Sequence, residues 1–370
     1  MEFDFSEEQR AIADMAASVF ADFCGDDQVR TFWDSGKSYD GGLWQQLAET
    51  GLLGLIVAEE DGGSGMGMLE QMLTLEQQGR HVAPVPLWRQ QLAAAVLARF
   101  AAAPLKSAWL EKIISGTSLA TLSLDGLTAS RGLALSAKPS ASGWLLDGRV
   151  IAVPLALEAQ LAILAAATDT GPRLFIIDLT AAGIEKISGV LTHAEPAADL
   201  VFKALQISAD QALPVEALSW LDQRALACIA ALQLGVSAED LRRTVEYTTQ
   251  RIQFDRPIAS FQGIGMRSAD CYIDIEALRS TLWQLCWRLD SGLEAEGAAR
   301  VAKYWASECG HRVAHASSHM HGGMGSDISY PIHRFLYWSR ALELTLGGVS
   351  ANLQVLGEWL AKPETVGVEL

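Results

Sequence analysis

GGMGSDISYPIHRFLYWSRALELTLGG, residues 322–348, decides how the rest of the chain is read. A glycine turn leads to Tyr330-Pro331, a helical stretch follows, and Gly347-Gly348 closes it. Upstream lies RIQFDRPI, residues 251–258, with Gln262 just after it. An arginine suits a phosphate or diphosphate because its planar fork gives paired, charge-assisted hydrogen bonds. Glycines such as Gly322 and Gly323 let a backbone approach another group closely, or simply stop a helix.

Working outward, 370 residues are enough for two or three domains, each with its own core. Half of the residues are apolar and 19% are charged, the balance of a globular protein. A formal charge of −16 disfavours nucleic acid or an anionic membrane surface as partner. No apolar run is long enough to span a membrane. The chain opens MEFDFSEEQR, acidic where a signal or transit peptide would be basic, so neither is expected. Five scattered cysteines (Cys24, Cys228, Cys271, Cys286 and Cys309) suit reduced thiols in a cytoplasmic protein.

The pattern along the chain is helix, then strand, then helix. Phe5, Ile12, Met15, Val19 and Phe20 form an amphipathic stripe, and helical spacing persists to about Phe100 except at DGGSGMG (61–67). Between about Ser118 and Ile207, short apolar runs separated by Gly, Asp and Pro read as strands: SLATLSL, RGLALSA, GWLLDG, RVIAVPL, QLAILAAA and RLFIIDL. Helices are expected again from Leu218, including long ones near 222–250 and 294–319. This order argues for helical segments flanking a small β domain.

The glycine motif, the Arg251–Phe254–Gln262 group, the acidic glycine-rich AEEDGGSGMG (58–67), and Gly116 followed by strand-like residues form four ordered landmarks. In that order they resemble the acyl-CoA dehydrogenases, over nearly the whole chain. The resemblance implies a mostly α, α+β fold with an N-terminal helical domain (1–115), a small middle β-barrel or sandwich domain (116–210) and a C-terminal four-helix bundle (211–370). It implies an oxidoreductase that converts an acyl-CoA thioester to the 2-enoyl-CoA. FAD would be the cofactor and an electron-transfer flavoprotein the acceptor. Arg251, Gln253, Phe254, Gln262, His319, Gly322 and Gly323 then become contacts to the ADP half of FAD, made across a subunit interface. Each of these taken singly has a plainer reading: a surface charge, a core anchor or a helix stop.

The same resemblance exposes substitutions. The family's catalytic glutamate falls, by ungapped count, at Leu346, and its second known location at Gln223, before Arg224. Neither a hydrocarbon nor an amide can take the proton. The flavin-ring loop corresponds to SLDGL (123–127), where Ser123 still offers a hydroxyl. The tryptophan strand corresponds to GRVIAVPL (148–155), with Ala152 at the tryptophan position and Pro154, which has no N–H, nearby. Glu343 is the nearest remaining carboxylate, about 4.5 Å along a helix from Leu346. His311, His315 and His319 share one helix face, but Arg312 stands where an HExxH motif has glutamate, so no metal is expected.

These features together imply the non-catalytic chain of a heteromeric enzyme. Such a chain resembles a subunit of the unequal α2β2 acyl-CoA dehydrogenases of lipid or steroid side-chain degradation, paired with a second dehydrogenase-like chain. Two other readings stand beside it: a homotetrameric enzyme whose base has moved, for example to Glu343, and a non-enzymatic CoA- or protein-binding scaffold.

Overall fold

The first helix begins where the sequence supplies a cap. Ser6 Oγ accepts from the Gln9 amide at 3.1 Å while Gln9 Oε1 accepts from the Ser6 amide at 3.0 Å, a closed capping box. From there Ile12, Ala16, Val19 and Phe20 form the buried face. The computed structural model describes residues 4–124, 126–128 and 132–363. Six helices come first: α1 (Glu7–Phe23), α2 (Asp26–Asp34), α3 (Gly41–Glu49), α4 (Met68–Arg80), α5 (Leu87–Phe100) and α6 (Ala103–Ile114). Seven strands follow: β1 (Ala120–Ser123), β2 (Leu135–Ser140), β3 (Gly143–Pro154), β4 (Leu161–Thr168), β5 (Gly171–Asp178), β6 (Ile184–Val190) and β7 (Pro196–Ser208). Then come α7 (Glu216–Gln250), a small hairpin of β8 (Ile252–Gln253) and β9 (Arg256–Pro257), α8 (Gln262–Asp290), α9 (Glu296–His321), α10 (His333–Leu344) and α11 (Val349–Leu360). No described helix is long and apolar enough to cross a membrane.

Two compact units emerge. One comprises residues 31–67 and 84–225. Its seven strands form one sheet, in the order β1-β4-β2-β3-β7-β6 with β5 on β4. Strand β4 is buried along most of its length, which explains its unbroken apolar run. Helix α5 is fastened by side-chain amides: Gln90 donates to the carbonyls of Ile113 and Ser118 at 2.7 and 2.9 Å and accepts from Ala120 N–H at 2.8 Å. Each of those bonds satisfies a buried backbone group at the start of the sheet.

GWLLDG and RVIAVPL are one strand, β3, not two. Gly148, at φ +117°, marks a bulge where the sequence suggests a turn. The pairing of β3 with β7 shifts register twice, and each shift has the same stitch. Ala152 on β3 lies at φ +52° and donates its N–H to Asp199 Oδ1 on β7 at 2.8 Å. Ala204 on β7, also at φ +52°, donates to Asp147 Oδ1 on β3 at 3.1 Å. Strand β6 is mostly solvent-facing and carries Glu185 and Lys186, so no apolar run announces it.

The other unit holds residues up to 30, 68–83 and from 226 on. Helix α9 packs against α8, α10 and α11, and its buried positions are mostly small: Ala298, Ala299, Ala302, Ala306, Gly310, Ala314 and Ala316. Along α7 a buried row of polar side chains, Gln233, Ser237, Asp240 and Thr244, runs at helical spacing. Gln233 donates to Ser237 Oγ and Ser339 Oγ at 2.9 and 3.1 Å, and Thr244 Oγ1 reaches Ser317 Oγ at 2.8 Å. Where α4 and α7 cross, a Cβ on Gly79 would overlap the Leu232 carbonyl and one on Gly235 the Glu76 carbonyl. Backbone therefore meets backbone, and only glycine fits.

Gly235→Ala is expected to cost about 1–3 kcal/mol by overpacking. The check is the denaturant midpoint of the variant against the parent chain. An unchanged midpoint would contradict the close crossing.

Candidate functional site

Helix α7 ends at Gln250, and Arg251 N–H still bonds back to Tyr247 O at 2.8 Å. The β8–β9 hairpin then turns through Phe254 (φ +53°) and Asp255 (φ +62°), two consecutive left-handed residues as a type I′ turn requires. That turn thrusts Phe254 into solvent. At 86% exposure it is no core anchor, and its ring meets Phe261 edge-on at 6.1 Å between centroids. Arg256 covers the Phe261 ring at 4.1 Å. Gln253 is exposed and its amide donates to Ile252 O at 2.9 Å. Gln262, also exposed, opens α8, whose N-cap Phe261 supplies no capping side chain. The start of this 29-residue helix favours an anion.

The end of α9 forms the second wall. Gly322 has φ +61° and ψ −136°, a conformation that suits glycine alone, and a Cβ on Gly322 or Gly323 would meet nothing within 4 Å. The backbone is thus uncovered at that turn. His319 is exposed, with Nδ1 2.8 Å from Arg267 of α8. Sequence reasoning missed what ties the two walls together. His321 stacks on Tyr247 at 4.4 Å, and Tyr330 packs 5.6 Å from His321, so an aromatic trio fixes the end of α7 to the end of α9. The spacing of Tyr247 one turn before Arg251 is the signal that was available.

At the first base position, Leu346 is 5% exposed and sits at φ +60°. Its turn is held from beneath. Fully buried Asn352 donates to the carbonyls of Leu346, Gly347 and Gly348 at 3.3, 2.9 and 3.1 Å, and Arg300 donates to Asn352 Oδ1 at 3.3 Å. Lys303 donates to Ser307 Oγ at 2.8 Å and to Leu342 O and Glu343 O at 3.1 and 2.9 Å, capping α10. Burial pushes its ammonium down to about 7 from an ordinary 10.5, with only Glu343 opposing. The Glu343 carboxylate bonds to Arg340 and lies 3.4 Å from His311 Nδ1, so it is an ion-pair partner at the helix end. In the other unit, at the second position, Gln223 is half-buried and Arg224 stacks 4.1 Å above the Trp220 ring of its own helix.

The flavin-ring side belongs to the sheet-containing unit. Ser123 is 4% exposed and its Oγ has no hydrogen-bond partner among the described residues, while Asp125 of the same loop lies outside them. The Ala152 N–H is engaged by Asp199, and Pro154, with no N–H, gives its carbonyl to Thr121 Oγ1 at 2.7 Å. The donor fork of Arg251 and the uncovered backbone at Gly322-Gly323 have the chemistry that the ADP half of a dinucleotide calls for. Neither Ala152 nor Pro154 keeps a backbone N–H to offer a flavin ring, so these two positions do not fit it. Of the histidine row, His311 and His319 each turn Nδ1 to an arginine, Arg340 at 2.9 Å and Arg267 at 2.8 Å, an arrangement that opposes a cation.

Fold and site together define an acyl-CoA dehydrogenase framework. The acyl-CoA dehydrogenase N-terminal domain matches residues 6–117 and the C-terminal domain residues 221–360. Acyl-CoA dehydrogenase FadE27 of Mycobacterium tuberculosis is 32% identical over 98% of this chain and 99% of its own length. Among solved structures, a Tcur3481–Tcur3483 steroid ACAD variant superposes with TM-score 0.90 at 37% identity, covering 96% of this chain and 98% of that one. The ChsE4–ChsE5 complex from M. tuberculosis gives TM-score 0.92 at 32% identity, with 98% and 99% covered. The chain belongs to the acyl-CoA dehydrogenase family, flavoprotein oxidoreductases acting on CH–CH bonds.

The Lys303 ammonium yields a pH prediction. Its folded value lies below its unfolded one, so the unfolded chain binds more protons between about 7 and 10.5, and stability rises with pH across that window. The slope from this one group is at most about 1.4 kcal/mol per pH unit. Lys303→Met removes it. From pH 6.5 to 9 the stability of the parent relative to the variant should rise with pH, whatever their offset, and parallel curves would contradict the assignment.

Proposed function

We propose that this chain is the partner subunit of a two-chain, flavin-dependent acyl-CoA dehydrogenase. It closes over the ADP half of an FAD whose ring, base and acyl pocket are completed by a second dehydrogenase-like chain. One juxtaposition carries the reading: a chain that keeps Arg251 and the uncovered Gly322-Gly323 turn also has a buried leucine where the family's proton acceptor falls. FAD, when bound, accepts the hydride that leaves the substrate β-carbon. This chain's own residues bind and orient. Arg251 meets the diphosphate, Gln253 and Gln262 add polar contacts, Phe254 packs at the interface, and Gly322-Gly323 admit the adenosine.

Two similar solved structures support the pairing, since their names join two different chains. The steroid ACAD relative also favours a bulky, steroid-type acyl-CoA as the pair's substrate, and the family resemblance alone suggests an electron-transfer flavoprotein as acceptor. Five free, buried cysteines suit a reducing compartment such as the cytoplasm. Glu343 as a relocated base is disfavoured by its ion pair with Arg340.

Arg251→Ala tests the cradle. Losing a charge-assisted bond of about 1.5–3 kcal/mol should weaken FAD retention by the purified two-chain complex roughly ten- to a hundredfold. Assembly of the pair, followed by size-exclusion chromatography, should be unchanged. Undiminished FAD content would favour a scaffold that has abandoned the cofactor.

A further inference from the structure

The partners of two histidines fix which atoms beside the glycine turn donate and which accept. A guanidinium has only donors. The 2.8 Å contact from Arg267 to His319 Nδ1 therefore requires a lone pair on that nitrogen, and a neutral ring carries its proton on Nε2. Two residues on, the arrangement reverses. His321 Nδ1 lies 2.9 Å from the Ser317 carbonyl, which only accepts, so Nδ1 holds the proton and Nε2 the lone pair. His321 is 3% exposed, and it serves the interior. His319 is exposed and lines an open groove of about 630 Å³ between α8 and α9, together with Arg267, Asp270, Asp274, Arg312 and His315. The second guanidinium there is already neutralised, since Arg312 lies 3.1 Å from Asp274 and 2.7 Å from Glu308.

We propose that Arg267 is a positioning residue that locks His319 in its Nε2–H tautomer, so that this edge of the cradle recognises a hydrogen-bond acceptor on the ADP moiety. The proposal rests on the nucleotide reading of the cradle and deepens it. The opposite tautomer would aim an N–H at the Arg267 N–H, and a doubly protonated ring would do so with two cations in contact. With the lock in place His319 can donate to a phosphate oxygen, a ribose oxygen or an adenine ring nitrogen. It cannot accept from the adenine amine. Arg267 does not touch the nucleotide in this account; it acts through the ring.

The tautomer is measured without cofactor, on the purified chain labelled with ¹⁵N-histidine, by long-range proton–nitrogen correlation. His319→Gln assigns the His319 signals by their loss. At neutral pH, His319 should show a proton on Nε2 only and His321 on Nδ1 only. Arg267→Met should turn His319 into a mixture and leave His321 unchanged, while Arg267→Lys, which still donates, should restore the single form. A mixed or Nδ1-protonated His319 in the unaltered chain overturns the lock. The recognition step is read separately, as FAD retained by the two-chain complex. His319→Gln keeps a donor and should stay within about threefold of the parent, whereas His319→Leu should weaken retention about tenfold, the worth of one hydrogen bond. Equal retention by both variants overturns recognition through this donor. A complex that holds no FAD overturns the parent reading and the nucleotide assignment with it, and the tautomer spectrum still decides the lock.

Discussion

Within its unit, the burial of α9 is the constraint on which both halves of the site depend. A helix packed against three others has little room for side chains, and alanines and Gly310 fill most of its inward positions. The few larger polar groups it buries are therefore placed with purpose. Near its start, Arg300 and Lys303 reach the turn and helix end that set position 346. At its end, His319, His321 and the glycine pair form one wall of the cradle. One helix thus positions both the turn at Leu346 and the glycine turn proposed to meet a nucleotide.

Much of this was legible in the residues. Glycine landmarks at 62–67, 116, 322–323 and 347–348 need special backbone geometry, and glycine reports that need directly; Gly62, Gly65, Gly116, Gly322 and Gly347 all have positive φ. Amphipathic spacing marked α1, and apolar runs marked β4 and β5, because those faces are buried in the usual way. Other features hid for physical reasons. Gly148 punctuates β3 without ending it, since a bulge and a turn ask for the same residue. The edge strand β6 faces solvent and resembles a loop. The polar row on α7 breaks the rule that polar residues face out.

The site was legible only as a set of positions. Sequence placed Arg251, Gln262, His319 and Gly322 in one pattern but gave no hint that Arg267 pairs with His319 or that Tyr247 stacks on His321. Such contacts join residues more than fifty positions apart and follow from helix packing. The substitution at Ala152 was visible; its consequence was not. A left-handed alanine whose N–H is engaged by Asp199 is a well-formed bulge with a matching stitch on the facing strand. The bulge is hydrogen-bonded within the sheet, and neither Ala152 nor Pro154 keeps a backbone donor for a flavin ring. On this account the chain has exchanged a ring-binding surface for self-sufficient sheet geometry while leaving its nucleotide cradle open.

Flavin stoichiometry, read from the visible absorption spectrum, tests that account most directly. The chain purified alone should be colourless. Purified together with its dehydrogenase-like partner, it should be yellow, with about one FAD per pair of unlike chains, as a shared site requires. A lone chain that is yellow with about one FAD per chain would contradict the shared site and demand a base and a flavin bed within this chain.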